Sequence, residues 1–269
     1  MHQHQQQKRR IIMAMAVLVA ISSAFLISSR SLGQAPVEQP KKVQPDIEQK
    51  RKEFKKQFPI ARYDEPEEQD LEKRAKRQLV GKRYENAGGL VDSIHPIAED
   101  EDRVLVTDVV LSVPAIPVKE SELIVIGKVL DASAHLSKNK KNVYSEFTVQ
   151  ISEILKDTTG TIKKEGSITV DREGGFVEYI NGLRRLHRIG GLLMPQVGGT
   201  HILFLRNPDK GPNYEIINGY ELKDGGVINL TGSFESISYF GTHQTVLLSK
   251  VRKALSEAVQ SGSLRPGRY

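Results

Sequence analysis

The chain has 269 residues, with 39 Lys+Arg against 33 Asp+Glu and a formal net charge of +6. It has no cysteine, which excludes disulfides, thiolate metal sites, a cysteine nucleophile and lipid attachment at a thiol. The positive excess permits attraction to anionic glycans, lipid headgroups or nucleic acid, and requires none of them.

The first element is a targeting segment. Residues 11–27 form an apolar run relieved only by Ser22 and Ser23, directly after Lys8, Arg9 and Arg10. A basic start followed by an apolar run is a membrane-targeting address. Two readings stay open. Residues 1–35 are a cleaved signal peptide, with small residues at Gly33 and Ala35 and with Pro36 weakening the site. Alternatively the run is retained as a signal anchor, a transmembrane helix of about 17 residues, near the lower limit for spanning a bilayer. Residues 11–27 are then the contact with the membrane. The positive cluster precedes the run, so both readings export the remainder to the periplasmic or extracellular side. The lack of cysteine and tryptophan favours a bacterial envelope over a disulfide-rich secreted module.

Residues 36–102 read as a charged linker, partly helical. Segments 46–58 and 67–84 carry good helix formers and opposite charges four apart, as in Asp70 with Arg74 and Glu72 with Lys76. Neither has a continuous apolar stripe. Pro36, Pro40, Pro45, Pro59 and Pro66 interrupt the run. A semi-rigid spacer is the expected role.

Residues 103–262 read as the folded domain. A leading strand near Val104 and Val106 is closed by Pro114 and Pro117. Segment 123–130 (LIVIGKVL) is a buried-strand pattern, with Gly127 permitting a bend. Segment 143–151 alternates cleanly, Phe147, Val149 and Ile151 on one face and Glu146, Thr148 and Gln150 on the other. Further strands are expected at 167–171, 176–180, 183–189, 201–206, 214–222 and 226–230. Asn181-Gly182 and Asp224-Gly225 are hairpin turns. A helix is expected over 242–261, with Val246, Leu247, Val251, Ala254, Leu255 and Ala258 as its apolar face, plugging or flanking a barrel. The fold class is therefore mainly β: a small antiparallel OB-like barrel with one C-terminal amphipathic helix, a sandwich being the second choice. Closure into a barrel removes edge strands without disulfides. Residues 263–269 are a basic tail.

Three strings carry a resemblance. Residues 121–129 (SELIVIGKV) look like an opening strand, residues 147–157 (FTVQISEILKD) like a second long strand and its exit, and residues 194–198 (MPQVG) with 202–205 (ILFL) like a glycine turn and central strand. Over residues 117–230 the chain resembles exported bacterial domains with an OB-like, netrin-like barrel, the broader architecture of metalloproteinase inhibitors. These motifs are core and turn residues, so the resemblance implies a scaffold and no activity. Inhibitors of that type insert a cysteine-led N-terminus into their target. This chain has no cysteine, so that mechanism does not carry over.

Signals for catalysis are absent. The histidines are scattered, with no HExxH, and no GxSxG elbow occurs. His187 and His201 read as structural, Ser233 as a turn residue, and Asp171, Glu173 and Glu178 as ordinary strand-end carboxylates. The expectation is a non-enzyme with no catalytic residue, metal or cofactor. Two basic clusters remain as candidate ligand-binding residues. Lys138, Lys140 and Lys141 occupy the loop between the first two long strands. Arg184, Arg185 and Arg188 lie on the strand after Asn181-Gly182. Tyr144 or Tyr179 is available for stacking. The expected function is an exported or membrane-tethered binding module of the cell envelope, for an acidic glycan or an envelope protein and not for nucleic acid. The alternatives are a protease-inhibitor-like domain presenting apolar loops near Leu192 to Pro195, and a hydrolase with an unrecognised site.

Overall fold

The computed structural model describes residues 58–85, 93–96, 103–107 and 113–262. The apolar segment 11–27, residues 46–57 of the expected helix over 46–58, and the tail 263–269 lie outside the described residues. Among the described residues no helix is long and apolar enough to cross a membrane.

The chain is mainly β. In order it forms β1 (Ile60–Arg62), α1 (Leu71–Arg83), β2 (Ser93–Pro96), β3 (Arg103–Thr107), β4 (Leu123–Leu136), β5 (Val143–Asp157), β6 (Ser167–Glu173), β7 (Gly175–Glu178), β8 (Arg184–Ile189), β9 (Thr200–Arg206), β10 (Tyr214–Lys223), β11 (Gly226–Asn229), α2 (Phe234–Ile237) and α3 (Gln244–Gln260). The larger sheet has the order β11-β10-β6-β5-β4-β9, and β10 also pairs with β9. This return is the strand order of a partly open five-stranded Greek-key barrel. The β6–β10 seam is parallel and only two pairs long, Tyr214 with Val170 and Glu215 with Asp171. The sheet is therefore barrel-like but not closed, which corrects the expectation that closure removes every edge.

Side-chain alternation in β4 serves two cores at once. Leu123, Val125 and Val129 point inward with Phe147, Val149, Ile151, Val170 and Leu203. Ile124 and Ile126 point outward to Ile202, Phe204, Tyr220 and the α3 face Leu247, Val251, Leu255 and Ala258. The helix thus flanks the barrel and does not plug it. It starts at Gln244, two positions after the expected Thr242, with His243 as cap, and Val246 is exposed. Gly127 sits at a register shift in the β4–β5 pair. A Cβ there would lie 2.6 Å from Val149 Cγ1 and 2.7 Å from the Gln150 carbonyl oxygen, so only glycine permits the close approach.

A second sheet, of order β1-β7-β8-β3-β2, has no counterpart in the sequence reading, which assigned β3, β7 and β8 to one barrel and placed β1 and β2 in the linker. Asn181-Gly182 does turn β7 into β8, with Gly182 at φ 79°. The flanking partners, β1 and β3, join in parallel from far upstream. Phe176 and Leu186 from this sheet, and Phe58 before β1, complete the barrel interior. Ser145, which interrupts the apolar row of β5, is buried and donates its hydroxyl to the Gly174 carbonyl at 2.7 Å.

The other helix, α1, lies within the stretch read as a linker. Asp70 caps it, accepting from the amides of Glu72 at 3.0 Å and Lys73 at 3.2 Å. This cap takes Asp70 from the expected Arg74 pair, and Arg74 pairs with Glu67 instead. Val80 and Tyr84 at the C-terminal end pack on Tyr144 of β5.

Candidate binding surface

The β4–β5 turn presents the first basic cluster. Its loop is built by side chains: Ser137 Oγ donates to Asn139 Oδ1 at 2.7 Å, and Asn139 Oδ1 accepts from the Lys141 amide at 3.0 Å. Asn139 and Asn142 then donate to the carbonyls of Glu85 at 3.0 Å and Tyr84 at 2.8 Å, tying the turn to the end of α1. Lys138, Lys140 and Lys141 are exposed.

Lys140 reaches across to Tyr63, just beyond β1. Its ammonium lies 5.3 Å from the Tyr63 ring centroid and donates to the Tyr63 carbonyl at 3.4 Å. Tyr63 stacks on Tyr179 with centroids 5.2 Å apart and planes 28° from parallel. Arg185 lies over the Tyr179 ring at 5.6 Å. A continuous ladder, Lys140–Tyr63–Tyr179–Arg185, thus joins the two basic clusters. Each cation–π step is worth about 0.5–1 kcal/mol at an exposed site. The ladder holds long side chains in place and lowers the entropy cost of presenting their charge.

The remaining candidates divide. Arg184 is held by Glu178, Nε at 2.9 Å and Nη2 at 2.8 Å from the same carboxylate oxygen. Arg188 lies on β8 paired to Val106 of β3. Tyr144 is fully buried, stacked on Tyr84 at 5.2 Å, so it offers no ligand face. Beside the ladder a cleft of about 190 Å³ is lined by Arg62, Arg77, Lys138, Lys140 and His135 together with Glu65, Glu67 and Glu68. Arg77 lies 3.5 Å from Glu68 and 3.8 Å from Glu65, so the cleft is a mosaic and not a uniformly positive groove. Of the candidate ligand-binding residues, Lys138, Lys140, Lys141 and Arg185 have no carboxylate partner among the described residues. Sequence reading missed Tyr63: it lies in the supposed linker, and no local pattern marks its stack on Tyr179.

The residues weighed for catalysis have other surroundings. His187 and His201 occupy different sheets, on β8 and β9. Burial holds each down to about 4, so both are neutral at physiological pH. Among the described residues no group of three or more His, Asp or Glu is arranged to hold a metal ion. Ser233 caps α2, accepting from the Ser236 amide at 3.2 Å and donating to the Ser236 hydroxyl at 2.8 Å. Met194 and Pro195 are buried, and Leu193 packs on the barrel core, so this stretch does not protrude as an inhibitor-like loop would.

Asp171 is the most constrained carboxylate. It is wholly buried, and its Oδ1 accepts from Arg83 Nη1 at 2.8 Å and from the Tyr84 hydroxyl at 2.5 Å. Across the sheet it is paired in register with Glu146 on β5 and Glu215 on β10. Burial pushes its carboxyl up to about 6 against the pull of Arg83 and Tyr84. Glu173, two residues on, is pushed up to about 8 by burial and then by Glu215.

No protein-family model matches the chain, and no curated protein matches it in sequence.

Proposed function

We propose that the protein is a non-enzymatic binding module for an anionic ligand, an acidic glycan or the acidic surface of an envelope protein. The observation that carries this reading is the ladder. Lys140 and Arg185 are far apart in the chain, yet both are held by one tyrosine stack. Lys138 and Lys141 extend the charge along the β4–β5 turn. The strand order supports an OB-like, netrin-like scaffold, and in OB folds the loop after the first strand borders the ligand face. In this chain that loop is the one bearing the three lysines. The basic start and apolar run over 8–27 support export or tethering, with the module working outside the cytoplasm.

Retention on immobilised heparin tests the reading. The wild-type chain is expected to bind at low salt and to elute with a steep salt dependence, because each phosphate- or sulfate-like contact releases counterions. The double variant Lys140→Ala/Arg185→Ala is expected to elute at markedly lower salt, whereas Arg184→Ala leaves elution near wild type because Arg184 is spent on Glu178. Elution unchanged by the double variant defeats the proposal.

A further inference from the structure

Helix α1 crosses the outer side of β5 and β6, the face that an OB-type barrel leaves for its ligand. The helix contributes little apolar surface. Its buried residues are Val80 and Gly81, while Leu71 is 77% and Leu79 is 41% exposed. A helix of 13 residues is marginal in water by itself, so docking decides whether it persists. Most of what docks it is polar. Arg83 donates to Asp171 through Nη1 and to Asp209 Oδ2 through Nε at 2.8 Å, and Tyr84 donates to Asp171 beside it. The latch is also incomplete. Asp171 Oδ2, Arg83 Nη2 and Asn213 Oδ1 are buried with no hydrogen-bond partner, and each such atom costs stability. Few apolar contacts and a costly polar junction are the marks of a segment that opens locally before the fold does.

The same segment carries the ladder. Tyr63 precedes α1, and Arg77 and Tyr84 of the helix region are bonded to the β4–β5 hairpin through Tyr144 and Asn142. We infer that α1 is a displaceable cover on the β5–β6 face, latched by Arg83 and Tyr84 on Asp171, and that its docking sets the β4–β5 turn so that Lys140 reaches the Tyr63–Tyr179 stack. Opening the latch exposes an acidic row, Glu146–Asp171–Glu215, and frees the β4–β5 turn that carries Lys140 to the ladder. Closing it restores the surface that presents Lys140 and Arg185. The cover thereby couples α1 to the state of the binding surface; the coupling to ligand rests on the function proposed above, and the cover itself does not.

Hydrogen exchange on the full chain, read by mass spectrometry, tests the cover without any ligand. In the wild type, amides of α1 are expected to exchange at least tenfold faster than those of β9. Tyr84→Phe, which removes only the hydroxyl, and Arg83→Met are expected to speed exchange in α1 and in the β4–β5 turn bonded to its end while leaving β9 unchanged. If α1 and β9 exchange at one common rate and shift together in both variants, α1 is an ordinary part of the fold and the inference fails. A heparin oligosaccharide added to the wild type is then expected to slow exchange in α1. Slowing confined to the β4–β5 turn overturns the coupling. If heparin does not bind at all, the proposed ligand class fails, and the ligand-free comparison of α1 with β9 still decides the cover.

Discussion

Helices α1 and α3 lie on the same barrel and are held by opposite means. The α3 helix sets Leu247, Val251, Leu255 and Ala258 into an apolar layer on β4, β9 and β10, with one surface ion pair from Arg252 to Glu153 at 3.0 Å. The α1 helix sets Val80 and Tyr84 on Tyr144 and then depends on Arg83 and Asp171. Apolar burial is non-directional and tolerates small shifts. A buried ion pair is directional, must offset the desolvation of both charges, and fails when either partner leaves. The first arrangement makes a permanent wall, the second a joint that can be released.

The largest effect that would sharpen this contrast is in α3. Leu247→Ala opens a cavity in a fully packed layer and is expected to cost about 2–5 kcal/mol of global stability by chemical denaturation. That loss should appear equally in barrel and helix signals. A loss confined to α3 would erase the difference between the two helices.

The next effect is on the acid side. His135, His187 and His201 are all held down to about 4, burial being the main cause. A depressed histidine contributes stability that is fully present above about 6.5 and is lost as pH falls toward 4, on the order of 3 kcal/mol each. Thermal midpoints should therefore fall between pH 6.5 and 4, and His201→Gln should flatten that limb. Glu173 has the opposite sign. Its carboxyl is raised to about 8, so its contribution is present below the ordinary carboxyl range and is lost as pH rises through about 8. Glu173→Gln is expected to remove the decline that this carboxyl imposes between about 4.5 and about 8, and so to steepen the histidine limb where the two ranges overlap.

A smaller effect separates structure from recognition. Val80→Ala trims the apolar contact of α1 with Tyr144 and should raise its local exchange while moving the denaturation midpoint less than Leu247→Ala does. Smallest of all in stability is the ladder. Lys140→Ala/Arg185→Ala is expected to change stability by no more than about 2 kcal/mol, since each of the two cation–π contacts is weak. A loss of several kcal/mol would make the ladder a structural brace.

Much of the barrel was legible because its signals are local. The alternation of Phe147, Val149 and Ile151 placed β5 and its inward face. Asn181-Gly182 and Asp224-Gly225 marked hairpins because both turns need positive φ, and Asp224 and Gly225 adopt 50° and 78°. The α3 face was readable from its spacing, apart from Val246. The candidate site was half legible. The lysines and Arg185 were visible as charge, but Tyr144 was taken for an open ring when α1 covers it. Tyr63, Arg83 and Glu146 gave no signal, since each acts through a partner distant in the chain.

By itself the sequence determined the strands from residue 103 onward, where they turn, and which face of α3 is apolar, because backbone sterics and side-chain periodicity act over a few residues. Only the tertiary structure decided that β1 and β3 join β7 and β8 in a second sheet, that β6 meets β10 at a two-pair seam, and that α1 docks by charge. Those choices depend on register between distant segments and on desolvation in their shared interior. Neither quantity exists until the chain is folded.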